Sequence, residues 1–115
     1  METYGLIGFP LKHSFSAKFF TEKFRNEQLE AEYLNFEIKD IQEIHHIILL
    51  NQQLKGLNIT IPYKERVIPF LDNISEEAKK IGAVNVIQIE RRPGDKCYFR
   101  LTGYNTDYIG FRQSI

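Results

Sequence analysis

The spacing of apolar and polar positions changes several times along the chain, and each change marks an element. Tyr4-Gly5-Leu6-Ile7-Gly8 is a short apolar run closed by Pro10, which predicts a buried strand. Ala17, Phe20 and Phe24 recur at i, i+3, i+7 with Phe19 alongside, predicting a helix that Ser14 or Ser16 can cap. Leu34, Phe36 and Ile38 alternate with Asn35 and Glu37, which is strand spacing. Asp40 followed by Glu43 is a capping-box pattern with Asp in place of Ser or Thr, and it opens a helix carrying Ile41, Ile44 and Ile48 on one face. A third strand, Leu57 to Ile61, stops at Pro62; short helical turns are expected over Lys64 to Phe70 and Ser75 to Ile81. Val84 to Glu90 and Lys96 to Thr102 read as two strands joined through the turn Arg92-Pro93-Gly94-Asp95, and Asp107 to Ile115 starts a last helix.

The predicted order is β-α-β-α-β-α-β-β-α. Strands alternating with helices imply an α/β fold of three layers: a mostly parallel sheet with one antiparallel strand, and helices on both faces. The 115 residues suit one domain, 1–115, and 43% hydrophobic residues with nine Phe and six Tyr supply a core. The chain stops inside its last predicted helix without a Gly or Asn cap, which leads us to expect the first portion of a longer protein.

Fifteen basic and fifteen acidic residues cancel, so no overall field favours nucleic acid or an anionic membrane. The Arg91-Arg92 pair sits beside a Pro-Gly turn and is expected to be a solvated turn. The single cysteine, Cys97, cannot form an internal disulfide; its strand-like setting suggests a packed side chain and a reducing compartment. There is no signal-peptide pattern at Met1 and no apolar run of membrane-spanning length, so a cytoplasmic location is expected.

In a parallel sheet, ligands bind beyond the carboxyl ends of the strands. The polar residues expected there are His13, Ser14, Ser16, Asn58, Thr60, Lys64, Asn85, Asn105, Thr106 and Asp107. Asn58 and Thr60 share a strand face opposite Leu57, Ile59 and Ile61; they need partners, either a ligand, neighbouring loops or the solvent of a sheet edge. Ser14 and Ser16 at a helix start suit a carboxylate or phosphate, although taken alone ordinary capping is the plainer reading. His45 and His46 are adjacent, face different directions on a helix, and lack acidic or Cys partners at ligand spacing, so no metal site is expected. Lys64 and Asp107 are titratable groups at two strand ends and are candidates for proton transfer; a surface Lys and an N-cap Asp are the plain alternatives. No G-x-G-x-x-G or P-loop spacing occurs, so no dinucleotide is expected to bind this chain through a standard fingerprint.

Four segments, in order, resemble the signatures of the shikimate dehydrogenase family: Gly8-Phe9-Pro10 with His13-Ser14-Phe15-Ser16; Asn58-Ile59-Thr60-Ile61-Pro62-Tyr63-Lys64; Gly82-Ala83-Val84-Asn85; and Gly103-Tyr104-Asn105-Thr106-Asp107 with Gly110. The resemblance implies the first of two α/β domains, the one that binds substrate, with an NADP-binding Rossmann domain expected outside this chain. It implies reversible NADP-dependent reduction of 3-dehydroshikimate to shikimate by the whole protein. Ser14, Ser16 and Thr60 would hold the substrate carboxylate; Asn58, Asn85 and Asp107 would bind ring hydroxyls; Lys64 would exchange the proton, with Asp107 beside it. Ala17 and Val86 depart from the family's usual Pro and Thr, which puts substrate preference rather than proton transfer in question. The alternative is a non-catalytic module that binds a small polyhydroxy carboxylate, shikimate or quinate.

Overall fold

The computed structural model describes residues 2–11 and 31–106. Six strands form one sheet: β1 (Glu2–Gly8), β2 (Ala31–Glu37), β3 (Leu54–Ile59), β4 (Asn73–Ile74), β5 (Val86–Arg92) and β6 (Asp95–Tyr104). Two short helices, α1 (Ile44–Leu50) and α2 (Glu76–Ile81), join them. The strand order is β2-β1-β3-β5-β6-β4. β1 runs parallel to β2 and β3, and β4 parallel to β6, while β5 opposes both of its neighbours. The mixed, mostly parallel α/β sheet therefore matches the expectation, but its antiparallel strand lies inside the sheet rather than at the end.

Residues paired in register share a face. Ile7, Leu57, Ile59, Ile87, Ile89 and Leu101 turn to one face and pack into a core with Ile44, Ile48, Val67, Ala78 and Val84. The described helices thus cover this face. The predicted helices after Ser14 and from Asp107, and with them the expected second helical layer, lie outside the described residues. The opposite face carries Tyr4, Leu6, Tyr33, Asn35, Asn58, Val86, Gln88 and Tyr104.

Local chemistry explains most element ends. Asp40 Oδ1 accepts from Gln42 N–H at 2.9 Å and starts a 3-10 turn, Ile41–Glu43, that runs into α1 with Ile44 and Ile48 buried. Ser75 Oγ caps α2 by accepting from Ala78 N–H at 3.2 Å, Glu76 and Glu77 occupy its first turn, Lys79 and Lys80 its last, and Gly82 closes it at φ 79°. The β5–β6 hairpin turns through Pro93-Gly94, with Gly94 at φ 83°.

Four expectations need correction. The third strand starts at Leu54 and ends at Ile59, leaving Ile61 73% exposed instead of on an apolar strand face. β4 was not expected; its two residues are extended because Asn73 and Ile74 pair with Thr102 and Gly103, and two residues are too few to show alternation. Cys97 is exposed, not packed, because it lies on the part of β6 next to the hairpin tip. Arg91 is not solvated: its guanidinium donates to the carbonyls of Leu54 (3.1 Å), Ile48 (3.1 Å) and Asn51 (2.9 Å), joining the end of α1 to the start of β3. Arg92 is exposed as expected, with its guanidinium 4.1 Å above the Tyr98 ring.

Candidate functional site

The carboxyl ends of β1, β3 and β6 lie at one edge of the sheet, and the antiparallel run of β5 brings its amino end to the same edge. Main-chain hydrogen bonds fix that convergence. Thr60 N–H donates to Ile7 C=O (2.9 Å), and Phe9 N–H to Ile61 C=O (3.0 Å). Ile59 N–H donates to Asn85 C=O (2.8 Å), Val84 N–H to Lys64 C=O (2.8 Å), and Asn85 N–H to Tyr104 C=O (3.0 Å). Residues far apart in sequence are thereby held on one backbone lattice: Thr60 and Lys64 after β3, Asn85 before β5, and Asn105 and Thr106 after β6. Both turns leaving β1 and β3 contain cis X–Pro bonds, Phe9–Pro10 and Ile61–Pro62.

Each described candidate has a definite setting. Asn85 is buried; its Oδ1 accepts from Thr106 N–H (3.0 Å) and its Nδ2 donates to Thr106 Oγ1 (3.1 Å). The amide so grips the residue that leads directly into Asp107. Thr60 lies against Gly8, where a Cβ on residue 8 would come within 2.4 Å of the Thr60 methyl. Only glycine lets the two strand ends approach so closely. Lys64 is half-buried beside a shallow pocket of about 280 Å³ that Ile61, Pro62 and Arg66 also line. Asn58 sits one step inside the edge, and its Nδ2 donates to the Tyr33 hydroxyl (2.7 Å) across β1. That phenol is pushed above its ordinary pKa by burial, which the Asn58 donor partly opposes. Ser14, Ser16 and Asp107, and also His13, lie outside the described residues.

Two positioning residues, Tyr33 and Glu37, were not singled out from sequence, and a third, Asn105, was expected at the strand end without its partner. Tyr33 satisfies Asn58 from two strands away. Glu37 Oε2 accepts from Leu11 N–H at 2.6 Å and so anchors the loop that leads toward Ser14. Asn105, 4% exposed, donates to Ala83 C=O (3.1 Å) and holds the end of β6 against the turn before Asn85. Glu37 was legible only as the polar partner in a strand alternation, because its bond depends on how β2 lies beside β1. His45 bonds through Nε2 to the Phe70 carbonyl (3.1 Å), between the Phe70 and Phe99 rings. Among the described residues, no group of three or more His, Cys, Asp or Glu could hold a metal. Nor do they form a dinucleotide cradle: their positive-φ glycines, Gly82 and Gly94, serve a helix end and a hairpin rather than a strand-to-helix turn.

An α/β sheet whose carboxyl edge gathers buried amides, a threonine and a lysine is the frame of a small-molecule-binding domain. Residues 6–87 match the family model described as the shikimate dehydrogenase substrate binding domain, and the chain belongs to that family. The shikimate dehydrogenase (NADP(+)) of Clostridium beijerinckii is 47% identical over 114 residues, covering 96% of this chain and 39% of that protein. The crystal structure of shikimate dehydrogenase 1 from Peptoclostridium difficile superposes with a TM-score of 0.80 at 43% identity, covering 98% of this chain and 40% of that one. Shikimate 5-dehydrogenase from Thermus thermophilus in complex with shikimate gives a TM-score of 0.78 at 30% identity, covering 99% of this chain and 41% of that one. The chain spans about two-fifths of the length of these relatives.

Proposed function

We propose that this chain is the substrate-binding domain of an NADP-dependent shikimate dehydrogenase, and that its polar sheet edge holds shikimate or 3-dehydroshikimate. The observation that carries the reading is the backbone lattice joining Thr60, Lys64 and Asn85 at one edge. In this reading Ser14, Ser16 and Thr60 hold the substrate carboxylate, and Asn58, Asn85 and Asp107 bind the ring hydroxyls. Lys64 takes the proton from the hydroxyl being oxidised and returns it in the reverse direction, with Asp107 orienting its ammonium. The nicotinamide of NADP, when bound, accepts the hydride; the described residues do not fit that cofactor, so it would be held by another domain. The 115 residues are then expected to bind substrate without turning it over. A cytoplasmic setting belongs to the same proposal. Among the described residues no helix is long and apolar enough to cross a membrane.

The test has two arms. In the 115-residue chain, NMR titration with shikimate should move the amides of Thr60, Lys64, Asn85 and Thr106 saturably, and quinate serves as the competing polyhydroxy carboxylate. In the longer protein that carries this domain, Lys64→Ala should lower kcat by about 10²–10⁴-fold with a smaller rise in KM. Unchanged kcat removes Lys64 from proton transfer, and tighter binding of quinate than shikimate reassigns the substrate.

A further inference from the structure

At the opposite end of the sheet, where β3 begins and β5 ends, lies a cavity of about 270 Å³ lined by Lys55, Arg91, Arg92 and Lys96, with Asp95 as its one acid. Four cations against one carboxylate is a strong local excess in a chain whose charges cancel overall. None of the four makes an ion pair with a carboxylate among the described residues, whose recorded salt bridge is Lys79 to Glu76. Asp95 is already engaged, accepting from Cys97 N–H at 3.1 Å.

The walls are held rigidly. Arg91 is fixed by its three carbonyl acceptors and its Nη1 is closed off from solvent, so it lends the cavity charge rather than a free donor. Carbonyl dipoles satisfy donors but leave the full positive charge in place, so a partly desolvated guanidinium there still favours an anion nearby. Burial accordingly lowers the Arg91 pKa from its ordinary value. Arg92 is restrained over the Tyr98 ring. Gln52 Nε2 donates to the Lys96 carbonyl (3.2 Å), tying the loop before β3 to the hairpin. Only the Lys55 and Lys96 ammonium groups retain free reach, as exposed flexible donors on either side.

We propose that this cavity is a second binding site, selective for a phosphate group and separate from the edge that carries Lys64. A compact dianion suits the two ammonium groups and the exposed Arg92 guanidinium better than a monovalent carboxylate does, because each added charge multiplies the attraction to the same cations, while the carbonyl-bound Arg91 contributes its charge from behind them.

The experiment is titration of the isotopically labelled 115-residue chain with inorganic phosphate and, separately, with glycerol 3-phosphate, ionic strength being matched with sodium chloride. Saturable amide shifts are expected at residues 52–55 and 91–97, together with a Tm that rises with ligand concentration. Lys55→Gln/Lys96→Gln should weaken binding at least tenfold, and Arg92→Gln alone should weaken it less; all three side chains are exposed, so the fold is expected to survive, as the remaining amide spectrum would show. Tighter binding of the monoester identifies a phosphorylated metabolite as the ligand, and equal binding identifies phosphate itself; either sustains the site. Shifts no larger than those from chloride, shifts centred on Lys64 and Asn85, or equal affinity in the double variant would overturn it. So would a DNA duplex that binds where phosphate gives no saturable response.

Discussion

Asn85 acts through both its side chain and its main chain. Its amide closes two hydrogen bonds onto Thr106, and its main chain bridges Ile59 and Tyr104, so β3, β5 and β6 meet at this residue. Asn85→Ala would leave the Thr106 groups without protein partners in a part-buried setting. It is expected to lower the unfolding free energy by about 1–3 kcal/mol, measured by urea denaturation. It should also weaken shikimate binding at least tenfold, because Thr106 would no longer hold the approach to Asp107. Intact affinity in a destabilised Asn85→Ala would show that the residue is structural only. The sequence showed a polar pair, Asn58 and Thr60, on a strand otherwise apolar, but not what each met. Asn58 meets the Tyr33 phenol and Thr60 meets Gly8, and both contacts cross to strands whose order no local pattern specifies.

At the scale of elements, adjacent arginines on β5 diverge because a strand sends successive side chains to opposite faces. Arg91 turns to the helix-bearing side and ties α1 to β3, whereas Arg92 turns to Tyr98 and solvent. Arg91→Met should therefore cost about 1.5–3 kcal/mol of stability, and Arg92→Met under about 0.5 kcal/mol, in parallel urea melts. Equal costs would deny Arg91 its joining role. The capped elements were legible: Asp40 and Ser75 cap the elements they were expected to start, and Pro93-Gly94 turns its hairpin. β4 was not, since Asn73 and Ile74 acquire strand geometry only by bonding along β6, held on either side by Asp72 N–H to Leu101 C=O and Ser75 N–H to Gly103 C=O, each at 2.9 Å.

For the whole molecule, two buried phenols, Tyr33 on the sheet face away from α1 and α2 and Tyr63 in the core on the other side, are held in their protonated form by the fold. Burial raises the pKa of Tyr33 above its usual 10.0 and shifts Tyr63 the same way. In the unfolded chain these phenols ionise near pH 10, about their ordinary value. Because the folded state holds the proton more tightly, their contribution is complete below the unfolded value and is lost as pH rises through the folded one. Stability is expected to vary little with these groups between pH 7 and about pH 9.5, and to fall above pH 10 more steeply in the wild type than in Tyr33→Phe. Urea midpoints at pH 8, 10 and 11 check this; parallel declines would remove Tyr33 as a source.

What the sequence determined by itself was local or ordered along the chain: strand and helix periods, caps, the hairpin turn, and four short segments whose order placed the chain in its family. Those signals act between residues close in sequence and survive without a fold. Only the tertiary structure decided that β5 lies inside the sheet and runs against its neighbours, which turns Asn85 from the start of a strand into a member of the site edge. It alone decided that Arg91 is a tie and that basic side chains from β3, β5 and β6 share a cavity at the far end. Pairing and register bring those groups together, and both depend on how the whole chain buries its apolar face.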